Sequence, residues 1–259
     1  MSSTSWSAGR YEAVAEQIAH IAEAVATSAD RRRALRGLPV VDLACGTGSA
    51  ALAAARLGAQ VTGVDITPEL LQIGAAKADA AGLSVQWRTA DAAETGLPTG
   101  AFDAAISNMG IIFVEPQRQV AELARLLKPG AVLAFSSWVR DAVNPFFDPI
   151  VAVLGTPPAT GHSPDQWGDP AVVEQRLAGD FDGIEFHRDV HTWRFDSPAA
   201  ALTFVTRESP MHVDVLGRVG PAQREALMTA FGDALDQHTD SGGAVAFGSS
   251  YVVVTAVRR

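Results

Sequence analysis

The chain has 259 residues, with 20 Lys and Arg against 29 Asp and Glu, a formal charge of -9 and no run of five basic residues. Phosphate backbones and anionic membrane surfaces are held by clustered cations, so this balance argues against nucleic-acid and membrane partners and leaves a small-molecule partner as the expectation. No apolar run approaches the ~20 residues that span a bilayer, and the first thirty residues lack the pattern of a secretory signal, so a cytoplasmic protein is expected.

The length allows one large domain, or one domain carrying insertions. The single Cys45 forms no internal disulfide framework and supplies no CxxC metal pair. Arg31, Arg32 and Arg33, with Arg36 nearby, read as the solvated C-terminal end of a helix, where positive charge is favoured.

In chain order, residues 11–29 place Val14, Ile18, Ile21 and Val25 at helical spacing. Pro39–Ala44 is a short apolar strand, Cys45–Gly48 a turn, and Ser49–Leu57 an alanine-rich helix. Gln60–Val64 is the next strand; Thr67-Pro68 caps a helix that Gly82 ends. Leu83, Val85 and Trp87 alternate as a third strand, and Phe102–Ser107 form a fourth. Glu115-Pro116 opens a helix with Val120, Leu123 and Leu127 on its buried stripe, stopped by Lys128-Pro129-Gly130 before a fifth strand, Ala131–Ser137. This alternation predicts a doubly wound, mostly parallel α/β sheet covered on both faces.

Residues 141–180 break the rhythm: they hold six of the fourteen prolines and the aromatics Phe146, Phe147 and Trp167. That composition reads as an insertion above the strand ends and predicts an apolar pocket. Ile184–Phe195 and Ala246–Val257 are long enough to be strands, and their irregular connection predicts an antiparallel edge.

Ligands of open α/β sheets bind beyond the carboxyl ends of the strands. There the first strand runs into Asp42-Leu43-Ala44-Cys45-Gly46-Thr47-Gly48, with Asp65 at the end of the second strand, 17 residues after Gly48. Glycines allow positive φ and close backbone approach, and a carboxylate at about that distance can grip both hydroxyls of a ribose, so an adenosine-type ligand is expected. Gly46, Gly48 and Ala51 alone would also satisfy a dinucleotide pattern. Asp42 discriminates: it would repel a diphosphate but attract the sulfonium and ammonium of S-adenosylmethionine. Asp91, followed by Ala92 and Ala93 after the third strand, can accept from an adenine amino group.

These segments together resemble the class I methyltransferases of the ubiquinone/menaquinone-biosynthesis-like type. VVDLACGTG looks like that family's first motif, VTGVDITPELL its ribose-binding strand end, WRTADAAETGLPTGAFDAAISNMGIIFVEP its adenine segment and fourth strand, and LARLLKPGAVLAFSSW the following helix and strand. The resemblance covers about residues 6–140. It implies a Rossmann-like, seven-stranded sheet with an antiparallel C-terminal strand and a helical substrate cap. It also implies S-adenosylmethionine as cofactor, with S-adenosylhomocysteine as product. By position, Gly46 and Gly48 with Ala44 and Asp42 would cradle the methionine part, Asp65 and Ile66 the ribose side, Asp91 and Ala92 the adenine, and Asn108 would lie beside the donor methyl. Trp6, Arg10 and Tyr11 match the segment that closes over the cofactor.

The implied organisation is a single domain: an N-terminal helical lid (1–37), a cofactor core (38–140), cap insertions (141–182 and about 197–245) and last strands (183–195 and 246–257). The expected reaction is methyl transfer to a small, hydrophobic acceptor at oxygen or carbon, by in-line displacement. Histidine is the usual base where an acceptor must lose a proton, and His162 and His212 are the candidates, each read first as a surface or packing residue. His187, Asp189 and His191 share a strand face, but an edge strand is expected to be polar there, so no metal is expected. Two alternatives stand: an NAD(P)-dependent oxidoreductase, disfavoured by Asp42 and by the lack of a Tyr-x-x-x-Lys pair, and a binding module that keeps the cofactor without transferring methyl.

Overall fold

The computed structural model describes residues 6–156 and 162–259. Its elements in chain order are α1 (Tyr11–Gln17), α2 (Ala19–Arg32), β1 (Pro39–Leu43), α3 (Ser49–Arg56), β2 (Gln60–Asp65), α4 (Pro68–Ala80), β3 (Val85–Thr89) and β4 (Phe102–Asn108). There follow α5 (Pro116–Leu126), β5 (Leu127–Trp138), α6 (Asp148–Leu154), α7 (Pro170–Leu177), β6 (Phe181–Phe195), α8 (Pro198–Thr203), α9 (Pro210–Arg218), α10 (Pro221–Asp236) and β7 (Val245–Arg258).

The seven strands lie in the order β3-β2-β1-β4-β5-β7-β6. β1 to β5 run parallel and β7 runs antiparallel to β5, with Val132 opposite Val257 and Trp138 opposite Tyr251. This is the expected Rossmann-like sheet with an antiparallel C-terminal strand. The order reverses at β1 and β4, so the carboxyl ends of those two strands form its switch point.

Among the described residues the chain forms two compact units. One comprises 18–140, 162–189 and 251–259; the other comprises 6–17, 141–156 and 190–250, so β6 and β7 contribute to both. The predicted insertion 141–182 includes residues 157–161, which lie outside the described residues.

In the larger unit β1, β4 and β5 are covered on both faces, and their buried runs are mainly apolar, interrupted by Asp42, Asp103, Ser107, Ser136 and Ser137. Ala50, Ala51, Ala53 and Ala54 are buried on α3, whose small side chains let the helix lie close to its neighbours. The arginine cluster is less solvated than its charge predicts. Arg33 donates to the buried Asp103 at 2.6 Å, where Lys128 also binds at 2.6 Å, and Arg32 pairs with Glu185 and donates to Gly183 O at 2.7 Å. The expected helix over 11–29 is two, because Ile18 (φ -102°, ψ 14°) leaves the helical region.

The smaller unit is organised around Phe146. Its ring meets Trp193 and Phe247 edge-on and stacks on Phe204. Trp193 Nε1 donates to Ser249 Oγ at 3.1 Å. Phe146 and Trp167, expected to line an apolar pocket, are core residues instead, in the smaller and larger units respectively; Trp167 packs edge-on against Phe135. An open groove of about 500 Å³ in the smaller unit is lined by Ala13, Phe195, Ala200 and Phe204, with Arg10 and Glu208 paired at 2.7 Å.

Candidate functional site: a glycine loop ringed by carboxylates

β1 and β2 are in register, so Asp42 lies opposite Gly63 in the sheet and the loop after Leu43 begins beside the end of β2. The loop turns through left-handed backbone at Ala44 (φ 51°), Gly46 (φ 56°) and Gly48 (φ 79°) and delivers the chain into α3. A side chain at Gly48 would enter the Trp87 ring. A Cβ at Gly63 on β2 or Gly74 on α4 would each come within 2.8 Å of the same indole. Trp87 is therefore a wedge beneath the loop. The sequence offers a signal for it, glycine in mid-strand and in mid-helix, but only the fold shows that both glycines serve one ring.

Three carboxylates stand at the ends of β1, β2 and β3. Asp65 is nearly buried; its Oδ2 accepts from Gly46 N at 2.8 Å and its Oδ1 from Thr67 N at 2.9 Å. This fixes the glycine loop to the second strand and leaves each oxygen a further lone pair. Asp91 accepts from Ala93 N at 2.8 Å through Oδ1 and from Arg118 at 3.3 Å through Oδ2.

Asp42 differs from both. It is fully buried and neither oxygen has a hydrogen bond of ordinary geometry, although the Ala51 backbone N–H lies close enough to favour the ionised form. Burial pushes its carboxyl well above the usual carboxylate range, and the neighbouring Asp65 adds to that. A buried, unpartnered carboxylate fits a cationic ligand and opposes an anionic one. That is the chemistry of S-adenosylmethionine, not of a diphosphate.

The segment after β3 is fastened to α5. Gln119 Nε2 donates to Ala92 O at 3.3 Å; Glu122 Oε1 accepts from Thr95 N at 2.9 Å and Thr95 Oγ1 at 2.6 Å; Arg125 binds both Glu122 oxygens at 2.7 Å. The Arg125 hydrogen bonds, opposed by burial and helped by Thr95, hold the Glu122 carboxyl down to about 2. These positions on one helix were not singled out in the sequence, because nothing local ties them to a loop 25 to 30 residues earlier.

At the end of β4, Asn108 lies opposite Ser136 in the ladder. Ile66 follows Asp65 with its side chain 63% exposed, an apolar surface free to take a flat ring. Asp42, Ala44, Gly46, Gly48, Asp65, Ile66, Asp91, Ala92 and Asn108 thus share the larger unit, at the carboxyl ends of four adjacent strands. Tyr11 lies in α1, in the smaller unit.

His212 is buried in the smaller unit. Its Nδ1 meets Ser209 Oγ at 2.7 Å and its Nε2 meets the Phe146 carbonyl at 2.8 Å, so the neutral ring donates from Nε2 and accepts at Nδ1. Burial lowers its pKa to about 4. His162 belongs to the larger unit, near Glu115, whose pKa is lowered chiefly by the Arg118 and Gln117 amides. His191 packs edge-on against Trp193, and Asp189 accepts from Tyr251 at 3.4 Å. Among the described residues no three His, Cys, Asp or Glu side chains are grouped to hold a metal.

Comparison with known proteins bears on the same region. The methyltransferase domain family matches residues 41–135. A Mycobacterium tuberculosis protein described as uncharacterized is 38% identical over 137 residues, 52% of this chain and 49% of its own, so the chain spans about half the length of that relative. A second uncharacterized M. tuberculosis protein is 30% identical over 223 residues, covering 83% of this chain and 79% of its own. In fold, the chain is similar to the YcgJ protein of Bacillus subtilis, with a TM-score of 0.61 over 93% of this chain and 99% of that one, at 14% identity. The matched span begins inside β1 and ends inside β5, enclosing the glycine loop, the three carboxylates and Asn108. On that match the chain belongs to the S-adenosylmethionine-dependent class I methyltransferases.

Proposed function

We propose that the chain transfers a methyl group from S-adenosylmethionine to a small, hydrophobic acceptor at oxygen or carbon. The observation that carries the reading is the contrast among the carboxylates: Asp65 held by two backbone amides, Asp42 buried without a partner. In this reading Asp65 binds the ribose hydroxyls, Asp42 draws the cationic methionine end over Gly46 and Gly48, and Asp91, Ala92 and Ile66 receive the adenine. When bound, S-adenosylmethionine supplies a methyl on a sulfonium, which an acceptor lone pair takes in line as the C–S electron pair returns to sulfur. The protein's own part is orientation and exclusion of water.

Apolar side chains suited to a hydrophobic acceptor, Ala13, Phe195, Ala200 and Phe204, line a groove of the smaller unit, which polar Glu16, Gln17 and Thr203 line equally. No base is assigned: both ring nitrogens of His212 are engaged and its low pKa keeps it neutral.

Calorimetric titration with S-adenosylhomocysteine and with NAD, on the protein and on Asp65→Ala, tests the cofactor assignment. Binding of the homocysteine product alone, lost in the variant, is expected; binding of NAD would overturn it. A panel of phenols, quinols and lipidic alcohols tests the acceptor, and turnover only with highly polar acceptors would sink its hydrophobic character.

A further inference from the structure

We propose that Asn108 selects an oxygen-bearing acceptor, because the fold engages its side-chain carbonyl and leaves its N–H donors unmatched. The inference rests on the methyltransferase reading above and narrows its acceptor.

Ser136 is buried on β5, directly opposite Asn108. Its Oγ accepts from Met109 N at 3.0 Å and donates to Asn108 Oδ1 at 2.8 Å. The Met109 amide has only a proton to offer, so it takes the acceptor side of the hydroxyl. The hydroxyl's one proton goes to Asn108 Oδ1, so the amide turns its carbonyl to Ser136. Among the described residues none accepts from Asn108 Nδ2, and Asn108 is only partly buried.

The backbone is arranged around this residue. Met109 (φ 55°) and Ala44 (φ 51°) are both left-handed without being glycine. At Gly110 a Cβ would collide with the Ala44 carbonyl oxygen, so only glycine lets the loops after β1 and β4 meet. Ser107 Oγ ties them, donating to Leu43 O at 2.7 Å and accepting from Ile111 N at 3.1 Å. Left-handed non-glycine backbone persists where its surroundings over-determine it, and it gathers at functional sites.

An amide whose oxygen is taken recognises lone pairs. A phenolate, enolate or carboxylate oxygen can accept from Nδ2 with one lone pair and keep another in line for the methyl. Its proton has left to solvent on ionisation, and transfer yields the methyl ether or ester (the C-methyl ketone where an enolate reacts at carbon) and the neutral thioether. An amine acceptor brings N–H donors of its own, which would face the Nδ2 donors unpaired.

The test uses 1-naphthol and 1-naphthylamine, which share one ring skeleton, titrated calorimetrically into protein saturated with S-adenosylhomocysteine. The naphthol is expected to bind at least about tenfold more tightly than the amine. Asn108→Ala should abolish that ratio, Asn108→Asp, which presents acceptors instead of donors, should invert it, and Ser136→Ala should reduce it by freeing the amide to turn. Equal binding of the two probes by the wild type, an unchanged ratio in Asn108→Ala, or no naphthol binding overturns the proposal. Failure of the wild type to bind S-adenosylhomocysteine would instead overturn the cofactor reading on which it rests.

Discussion

Replacing Asp42 by asparagine should stabilise the free protein and weaken its hold on the cofactor. In the folded chain burial raises the Asp42 carboxyl well above its ordinary 3.8; in the unfolded chain it titrates normally. Between those two values the native state holds a proton that the unfolded state has lost. Stability tied to this group is therefore intact below about pH 4 and falls as pH rises towards the folded value. The slope is at most ~1.4 kcal/mol per pH unit for one proton. For a chain of this size each kcal/mol moves Tm by about 2–4 °C. A neutral amide at this position carries no such penalty, so Asp42→Asn should melt above the wild type at neutral pH, with the gap closing near pH 4. Affinity for S-adenosylhomocysteine, whose ammonium loses its counter-charge, should fall tenfold or more, the usual effect of removing a charge-assisted hydrogen bond. Scanning calorimetry across pH with paired titrations reads both effects. A variant no more stable than wild type at neutral pH, or one that binds the product as well, would refute the view that burial penalises the Asp42 charge until a cation arrives to meet it.

Gly110→Ala should lower Tm by about 2–12 °C, since the added Cβ meets the Ala44 backbone and overpacking of this kind costs about 1–3 kcal/mol; an unchanged melt would mean the two loops are not in contact. Glu122→Gln should loosen the segment after β3 by removing the charge that Arg125 and Thr95 bind, a loss of about 1–2 kcal/mol given that Arg125 is partly exposed. It should weaken S-adenosylhomocysteine several-fold in titration, and unaltered affinity would separate α5 from the adenine segment. His212, neutral in the fold down to about pH 4 but protonated at about 6.5 when unfolded, contributes stability that is present above pH 6.5 and lost as pH falls towards 4. The loss is on the order of 3 kcal/mol, so His212→Gln should be less stable near neutrality yet show a flatter Tm between pH 6.5 and 4; an equal slope would place the titration elsewhere.

The features that could be read from the sequence are those whose cause is local. Thr67-Pro68 opens a helix because threonine leaves the helical region before a residue with no N–H to satisfy, and the chain turns there as expected. The glycine loop is legible for the same reason, since positive φ at Gly46 and Gly48 is a property of those residues. The break at Ile18 is not, because an isoleucine at helical spacing supports a continuous helix and only the backbone departs from it. His212 is the sharper case. Sequence makes it a histidine beside Pro210 and Met211, open to either role, while its hydrogen bonds come from Ser209 in its own turn and from the Phe146 carbonyl 66 positions away. Ser136 and Asn108 likewise acquire their relation only when β4 and β5 align.

The carboxylates also explain why a loop whose glycines alone satisfy a dinucleotide pattern favours one class of ligand. Asp65 is preorganised: both oxygens accept from backbone amides, one of them in the glycine loop, and each keeps a lone pair for a hydroxyl donor. Asp91 is half-committed, with one oxygen in its own turn and the other shared with an exposed arginine that a ligand can displace at small cost. Asp42 has only the Ala51 backbone N–H near it, with no hydrogen bond of ordinary geometry, and it lies deepest, where a charge interacts most strongly. A diphosphate brought to this loop would meet Asp42 unscreened, and no described basic side chain binds Asp42 to offset it. A ligand with hydroxyls in its middle and positive charge at one end meets each acid with what that acid lacks.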